Sequence, residues 1–409
     1  MSDAQKAVIG CGEAAQAGAA SLAHASDEAI NAALRAMADR LTGSAPRLLA
    51  ANAADMAEGE RAGLGRGLLD RLRLDEGRIA DMARQIGLLA DAPFPPELTP
   101  LRELPGGLLL AERRVPVGVI GANFEARPNV TIDIASQLLK SRNAGVLRTG
   151  GAALRSAAAL TDEVIAPAAA AAGLDAGAIG LVRSADREAA VELVRQPGLI
   201  PLVILRGSGD TTRSLAAEAA RHGVRTLAHA DGGGVLYLDR AADPALAAEL
   251  IAASLDRLGV CNRLNLLLID AGAPDELQTV AMAALAERGV EPVPPGPQPL
   301  GHEWALDAGN EARVTVAPAE GPAAAAALAN AATSGLAAGI VTADPAAARQ
   351  FLAAYRGTGA FWNASTRLLD GFKLRGVPET GINVDHVPGP RGPVTFTDLC
   401  LRQYVVTPD

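Results

Sequence analysis

The 409-residue chain reads as an α/β protein built on doubly wound parallel sheet. Three observations predict this. From Val115 onward, short apolar runs alternate with longer helix-like segments. The runs lack the polar alternation of a half-exposed strand, which places them in strands covered on both faces. Their order, strand then helix then strand, is that of parallel crossover units. The length allows two or three lobes at about 100–200 residues each.

In chain order, the first ninety residues are expected to be helical. Ile30, Leu34, Met37 and Leu41 fall on one helical face behind a cap at Ser26, and Ile79, Met82, Ile86 and Leu89 repeat the pattern after Asp75. The proline-rich stretch from Pro93 to Pro105 ends this region. Strands are expected at Val115–Ala122, Gly145–Leu147, Ile179–Val182 and Ile200–Leu205. The helices between and after them are Val130–Lys140, Ala152–Ala172, Asp186–Arg195 and Thr211–His222. A second α/β unit follows, with strands at Val235–Leu238 and Leu266–Ile269 around a helix at Pro244–Leu255. Beyond the loop Pro292–Gly301 come a helix through the alanine run, a strand at Gly339–Thr342, a helix at Ala346–Tyr355 and a last strand at Leu399–Val406.

Composition excludes several functions. Hydrophobic residues make up 49% and charged residues 20%, the balance of a soluble globular protein. With 3% aromatics and a net charge of −9, the chain lacks both the stacking platforms and the basic face that nucleic acids require. Cys11, Cys261 and Cys400 are too few for a disulfide framework, and no Cys/His cluster suggests a metal. The N-terminus has no signal-peptide pattern. The uncharged stretch Pro322–Ala343 is mostly alanine and is broken by Asn330, Thr333, Ser334, Gly335 and Gly339, so it is too weakly apolar to span a bilayer. A cytoplasmic protein without membrane contact is expected.

Four places carry potential chemistry. Cys261, in Leu258-Gly-Val-Cys-Asn-Arg, stands between a helix and a strand, with Gly259 allowing a sharp turn. It is either a thiolate nucleophile with a backbone amide at hand for an oxyanion, or a small buried hydrophobe. Arg206-Gly-Ser-Gly-Asp-Thr-Thr opens a helix after a strand, which is a phosphate-binding arrangement or a plain turn; Thr212 stands where a dinucleotide fingerprint has its third glycine. In Glu125-Ala-Arg-Pro-Asn-Val-Thr, Asn129 offers an amide to a polarised carbonyl and Arg127 a fork for phosphate or carboxylate, unless the segment is only a helix cap. Arg148 ends the next strand at the same edge, paired to a cofactor phosphate or solvated. The loops Asn363–Phe372 and Pro390–Pro393 are polar and shaped by Gly and Pro, as binding loops and plain connections both are. His24, His222, His229, His302 and His386 are dispersed, and none forms a serine-type triad.

Across almost its whole length the chain resembles the gamma-glutamyl phosphate reductase family of the aldehyde dehydrogenase superfamily. The likeness is carried by Arg114-Val-Pro-Val-Gly-Val-Ile-Gly, Glu125-Ala-Arg-Pro-Asn-Val-Thr, Leu139-Lys-Ser-Arg-Asn-Ala, Gly259-Val-Cys-Asn, Asn363-Ala-Ser-Thr-Arg-Leu-Leu-Asp-Gly-Phe and Arg391-Gly-Pro. The resemblance implies an aldehyde dehydrogenase-like fold in three parts: a Rossmann-type cofactor lobe (1–97 and 117–229), an α/β catalytic lobe (230–390) and a small β oligomerisation element (98–116 and 391–409). It implies NADPH-dependent reduction of an acyl phosphate through a thioester on Cys261, giving glutamate 5-semialdehyde in proline biosynthesis. Asn129 would assist catalysis. Arg148, Gly207, Ser208, Gly209 and Glu303 would hold the cofactor, and Glu125, Arg127, Asn262 and Arg391 the substrate. A homodimer or homotetramer is implied, with association with glutamate 5-kinase as a further expectation.

Hydrolytic relatives carry a glutamate in a Glu-Leu-Gly-Gly segment to activate water. The equivalent stretch here, Leu227-Ala-His-Ala-Asp-Gly-Gly-Gly, has none. The chain departs from the family's pattern at Leu336-Ala-Ala-Gly, where a His-Ser or His-Thr pair is usual, and at Arg263, where a small residue is usual. These departures keep two alternatives open: a paralogue acting on another acyl phosphate, and a catalytically silent scaffold partnering the kinase.

Overall fold

The structure is a computed structural model and describes residues 1–229, 232–307, 309–385 and 389–408. The expectations attached to Asp231 and His386 lie outside the described residues.

The N-terminal helices Asp3–Ala23, Asp27–Gly43, Ala45–Arg61, Arg66–Leu72 and Glu76–Asp91 form where the apolar periodicity places them. Ser26 Oγ accepts from Ala29 N at 3.2 Å and Asp75 Oδ1 from Arg78 N at 2.8 Å, so both caps satisfy amides that lack a helical partner. Ile30, Leu34, Met37 and Leu41 are buried, as are Ile79, Met82, Ile86 and Leu89.

They pack on a five-stranded parallel sheet whose order is Ile179–Leu181, Ala144–Thr149, Val119–Phe124, Leu202–Arg206, Arg225–His229. Register pairs Asn123 with Arg148 and with Leu205, and Arg206 with His229, so one row of side chains lines its carboxyl edge. The helix expected over Ala152–Ala172 is interrupted by a π-helical turn at Thr161–Ile165. Pro167 has no N–H to offer the carbonyl of Glu163, which instead accepts from Arg40 Nη1 at 3.4 Å. The helix expected at Asp186–Arg195 shortens to Glu188–Leu193.

A second parallel sheet has six strands in the order Glu291–Val293, Arg313–Ala319, Leu264–Asp270, Gly234–Leu238, Ala337–Val341, Gly359–Trp362. Helices Pro244–Ser254 and Asp275–Glu287 cover one face; Pro322–Ala332 and Pro345–Ala354 cover the other. Ala325, Ala326, Ala329 and Ala348 are fully buried there, so the alanine run is a close-packed helix. Among the described residues no helix is long and apolar enough to cross a membrane.

The chain passes between the sheets twice. Outward, it runs from His229 to Gly234. On the return, Gly381–Asn383 pairs with Gly392–Val394, and Val394, Phe396 and Leu399 join the first core. The final strand, Cys400–Pro408, pairs antiparallel with Leu108–Pro116, which also pairs with Leu98–Leu104, giving a separate three-stranded sheet.

Candidate active site

The two large sheets meet with opposite edges. The carboxyl edge of the first faces the amino edge of the second, because Cys261 lies in the turn just before Leu264–Asp270. Between them is a cavity of about 250 Å³ onto which Cys261, Asn262, Glu125, Arg127, Gly207, Ser208 and Glu303 all open. These residues come from four separate stretches of chain.

The outward crossover fixes the nucleophile's turn: Gly233 N donates to Cys261 O at 2.6 Å and Gly234 N to Arg263 O at 2.7 Å. Gly232 has no room for a side chain. A Cβ there would lie 2.5 Å from Glu303 Oε1 and 2.7 Å from Cys261 Cα, so any larger residue would push apart the carboxylate and the cysteine. Glu303 Oε2 in turn accepts from Gly232 N at 2.9 Å. Beneath the cysteine, the departure at Leu336 and Ala337 forms a small apolar cluster with Leu369, Ile382 and Val384.

Arg263 is fully buried. Its guanidinium donates to Leu264 O at 2.9 Å and to the carbonyls of Glu311 and Arg313, tying the segment after Glu303 to the catalytic strand. Burial pulls its pKa down to about 10, against the nearby Glu303.

Burial pushes the Cys261 thiol up to about 11. Glu379 adds to the rise, Arg127 opposes it, and Glu303 and Arg206 act more weakly in the same two senses. The resting thiol is therefore protonated at neutral pH, and attack needs a proton acceptor. Glu379 faces the same cavity; burial raises it to about 7 against the pull of Arg206, and Gly371 N donates to its Oε2. His229 cannot serve. Ile382 N donates to its Nδ1 at 3.0 Å, which leaves Nε2 as the protonated nitrogen, while burial and Arg206 press its pKa to about 3. It is a neutral donor.

Not every sequence-predicted residue converges. Asn129, on helix Pro128–Lys140, donates to Asp133 Oδ2 at 3.1 Å and lines a neighbouring cavity. Arg148 donates to Asn123 Oδ1 at 3.1 Å and to Asp186 O at 2.8 Å, leaving its buried Nε without a partner. Asn262 does open on the cavity, but its amide is engaged: Nδ2 donates to Leu369 O at 2.9 Å and Oδ1 accepts from Arg367. Arg391 is held by the carbonyls of Val384, at 2.8 Å, and Arg356, away from the cavity. Conversely, sequence reasoning did not select Arg71, Arg206, His229, Arg257, Arg367 or Glu379, all of which line it. Arg206 and Arg367 carried usable signals: Arg206 ends a strand and opens the Arg206-Gly-Ser-Gly segment, and Arg367 lies in the Asn363–Phe372 loop.

The first sheet also meets the requirements of a dinucleotide. Ser208 caps helix Gly209–His222 with no side-chain bond to the helix amides, so the first-turn amides are available to phosphate. A Cβ on Gly207 would make only ordinary van der Waals contact, 3.4 Å from Thr212 Oγ1 and 3.6 Å from Glu125 Oε1, so the local packing would admit a small side chain there.

Two parallel α/β sheets opposed over one cysteine, with a helix start free of side-chain capping on one side, define the aldehyde dehydrogenase class. Residues 4–291 match the aldehyde dehydrogenase family. The chain is 38% identical to a gamma-glutamyl phosphate reductase of Clavibacter michiganensis, over 96% of this chain and 92% of that one. It is 38% identical to that of Chloroflexus aggregans, over 96% of each. The crystal structure of the Thermotoga maritima gamma-glutamyl phosphate reductase superposes with a TM-score of 0.90 at 25% identity, covering 98% of both chains. The chain belongs to the gamma-glutamyl phosphate reductase family, and with it to the enzymes that use a nicotinamide cofactor.

Proposed function

We propose that this chain reduces gamma-glutamyl phosphate to glutamate 5-semialdehyde and phosphate, with NADPH as reductant, in proline biosynthesis. The observation that carries this reading is the position of Cys261, opening on a cavity between opposed sheet edges and flanked by arginines. Residues 1–97 and 117–229 are the cofactor lobe, 230–390 the catalytic lobe, and 98–116 with 391–409 the oligomerisation element, of which 394–399 also packs on the core of the cofactor lobe.

Glu379 accepts the Cys261 proton, directly or through one water. The thiolate attacks the acyl carbon, the carbon–oxygen bond to phosphate breaks, and Arg127 and Arg206 hold the departing anion. Gly207, Ser208 and Gly209 would hold the nicotinamide cofactor, which would supply hydride to the acyl carbon. His229 Nε2–H steadies the charge that forms on the thiohemiacetal oxygen. Collapse breaks the carbon–sulfur bond, releases the aldehyde and returns the proton from Glu379 to sulfur. Arg148, its pKa lowered by burial and acted on by Asp186 more than by Arg187, keeps its buried Nε free among the described residues, and this spare donor supports a 2′-phosphate and so NADPH over NADH.

The test is NADPH consumption, followed optically, while an active glutamate kinase with ATP generates the acyl phosphate in place. Turnover with NADPH at a higher kcat/KM than with NADH is expected. Silence from folded protein beside a working kinase defeats the proposal.

A further inference from the structure

A second cavity of about 580 Å³ adjoins the one that holds Cys261, and the two share Arg71, Arg127, Arg257, Gly259 and Val260. Gly207 and Ser208 do not line it, so it lies on the side of the nucleophile away from the expected cofactor. Its carboxylates already have partners. Asp70 binds Arg78 at 2.8 Å, Asp81 binds Arg84 at 3.1 Å, Asp133 accepts from Asn129, and Glu311 Oε2 accepts from Gly309 N at 2.9 Å. Three guanidiniums have no close ion-pair partner among the described residues. Among the described residues, Arg127 and Arg257 make no side-chain hydrogen bond or ion pair, and Arg71 makes only a long contact, 3.4 Å, to Gly259 O in the turn that bears the nucleophile.

These three do not stand equally near the sulfur. Arg127 and Arg206 are the cations whose fields act most on Cys261, which puts them at the reacting end. Arg71 and Arg257 line both cavities and are not among the charges that act on the sulfur, so they stand on the side shared with the second cavity. A gamma-glutamyl group has anionic chemistry at both ends: the acyl phosphate, and an α-carboxylate about 5 Å along an extended chain of four carbon–carbon bonds. Unpaired guanidiniums on that side match a carboxylate there, and each offers a two-pronged donor.

We infer that Arg71 and Arg257 form the subsite that grips the substrate's α-carboxylate and so select an amino-acid acyl phosphate over a simple aliphatic one. The inference rests on the functional reading above. Arg71 comes from the N-terminal helical region and Arg257 from the turn before Cys261, so substrate selection joins the two lobes across the cleft.

The experiment runs the reaction in reverse, with NADP, inorganic phosphate and either glutamate 5-semialdehyde or butanal, which has the same carbon reach without the carboxylate and ammonium. Arg71→Gln and Arg257→Gln are each expected to raise KM for the semialdehyde about tenfold or more, the size of a lost charge-assisted hydrogen bond. The ratio of kcat/KM for semialdehyde to that for butanal should fall by a similar factor, and Arg257→Lys should restore part of it. A loss of folded protein would depress both substrates alike and leave the ratio intact. If the wild type oxidises the semialdehyde but both glutamine variants keep its ratio within about twofold, the subsite is disproved and the function stands. A wild type that does not act on the semialdehyde removes the function and the subsite together.

Discussion

The chemistry at Cys261 turns on where a proton goes. A thiol pushed up to about 11 cannot be the resting nucleophile, and Glu379, at about 7, is the cavity carboxyl with a raised value close to physiological pH. In the free enzyme the base form of Glu379 grows as pH rises through 7, so kcat/KM should climb across that interval. Glu379→Gln should cost about 10²-fold or more in kcat at neutral pH and erase that limb, leaving only a rise toward the thiol's own pKa. A variant that keeps the inflection near 7 would assign it to another group.

Asp133, beside Glu379 and Arg206, gives a stability counterpart. Burial raises it from the usual carboxylate range to about 6, so between about 4 and 6 the folded chain holds a proton that the unfolded chain has lost, and stability falls as pH rises through that window. Asp133→Asn should therefore raise stability at pH 8, by up to about 3 kcal/mol, with the gain vanishing below about pH 4. Calorimetry at the two pH values reads this, and an equal gain at both would refute it.

Neither carboxyl was legible in the sequence. Pro378-Glu-Thr-Gly and an aspartate on a helix look like solvated polar positions until the fold turns them inward. Asn129 shows the converse: its motif pointed to the site, but its place in the first turn of helix Pro128–Lys140 sets it against Asp133, four residues on.

At the scale of elements, the strands and helices were legible where one period dominated. Ile30, Leu34, Met37 and Leu41 announced a helical face, and the runs around Ile120, Val146 and Ile204 announced strands covered on both sides. Strands Arg225–His229, Arg313–Ala319 and Gly359–Trp362 went unseen, since short runs holding Arg225, Pro318 or Gly359 carry too few apolar residues to set a period. The helix Ala152–Ala172 lost its regularity to Pro167, whose consequence was readable but was outweighed by the alanines around it.

Arg263 joins elements that pattern alone cannot connect. Its three carbonyl acceptors lie on the catalytic strand and on the segment 311–313, which follows Glu303. Arg263→Met would leave those acceptors without a donor in the interior, and should destabilise the chain by roughly 2–3 kcal/mol and lower kcat/KM by displacing Glu303. Arg263→Lys, with fewer and differently directed donors, should fall between. A methionine variant that melts with the wild type would show that the segment holds itself in place.

Over the whole molecule, the three-stranded sheet stands apart from both cores yet carries large apolar side chains in solvent. Leu98, Leu101, Leu108, Leu401, Tyr404 and Val406 are 36–58% exposed. The strands Leu98–Leu104 and Cys400–Pro408 are its two edges, so both present unpaired backbone groups along with that apolar surface. A patch of this kind on a folded chain marks a surface made for a partner, and a second copy of the same chain satisfies it by symmetry. The sheet pairs with neither of the two large sheets, so losing the partner should leave Cys261 and its arginines in place while exposing the edges. Tyr404→Glu combined with Val406→Glu puts two like charges per subunit into that contact. The pair should convert the assembly to monomers in light scattering, with a lower melting temperature and with kcat for the acyl phosphate reduced less than twofold. A double variant that keeps the wild-type mass would locate the subunit contact elsewhere, and a monomer with no turnover would mean that the site needs the partner to hold its shape.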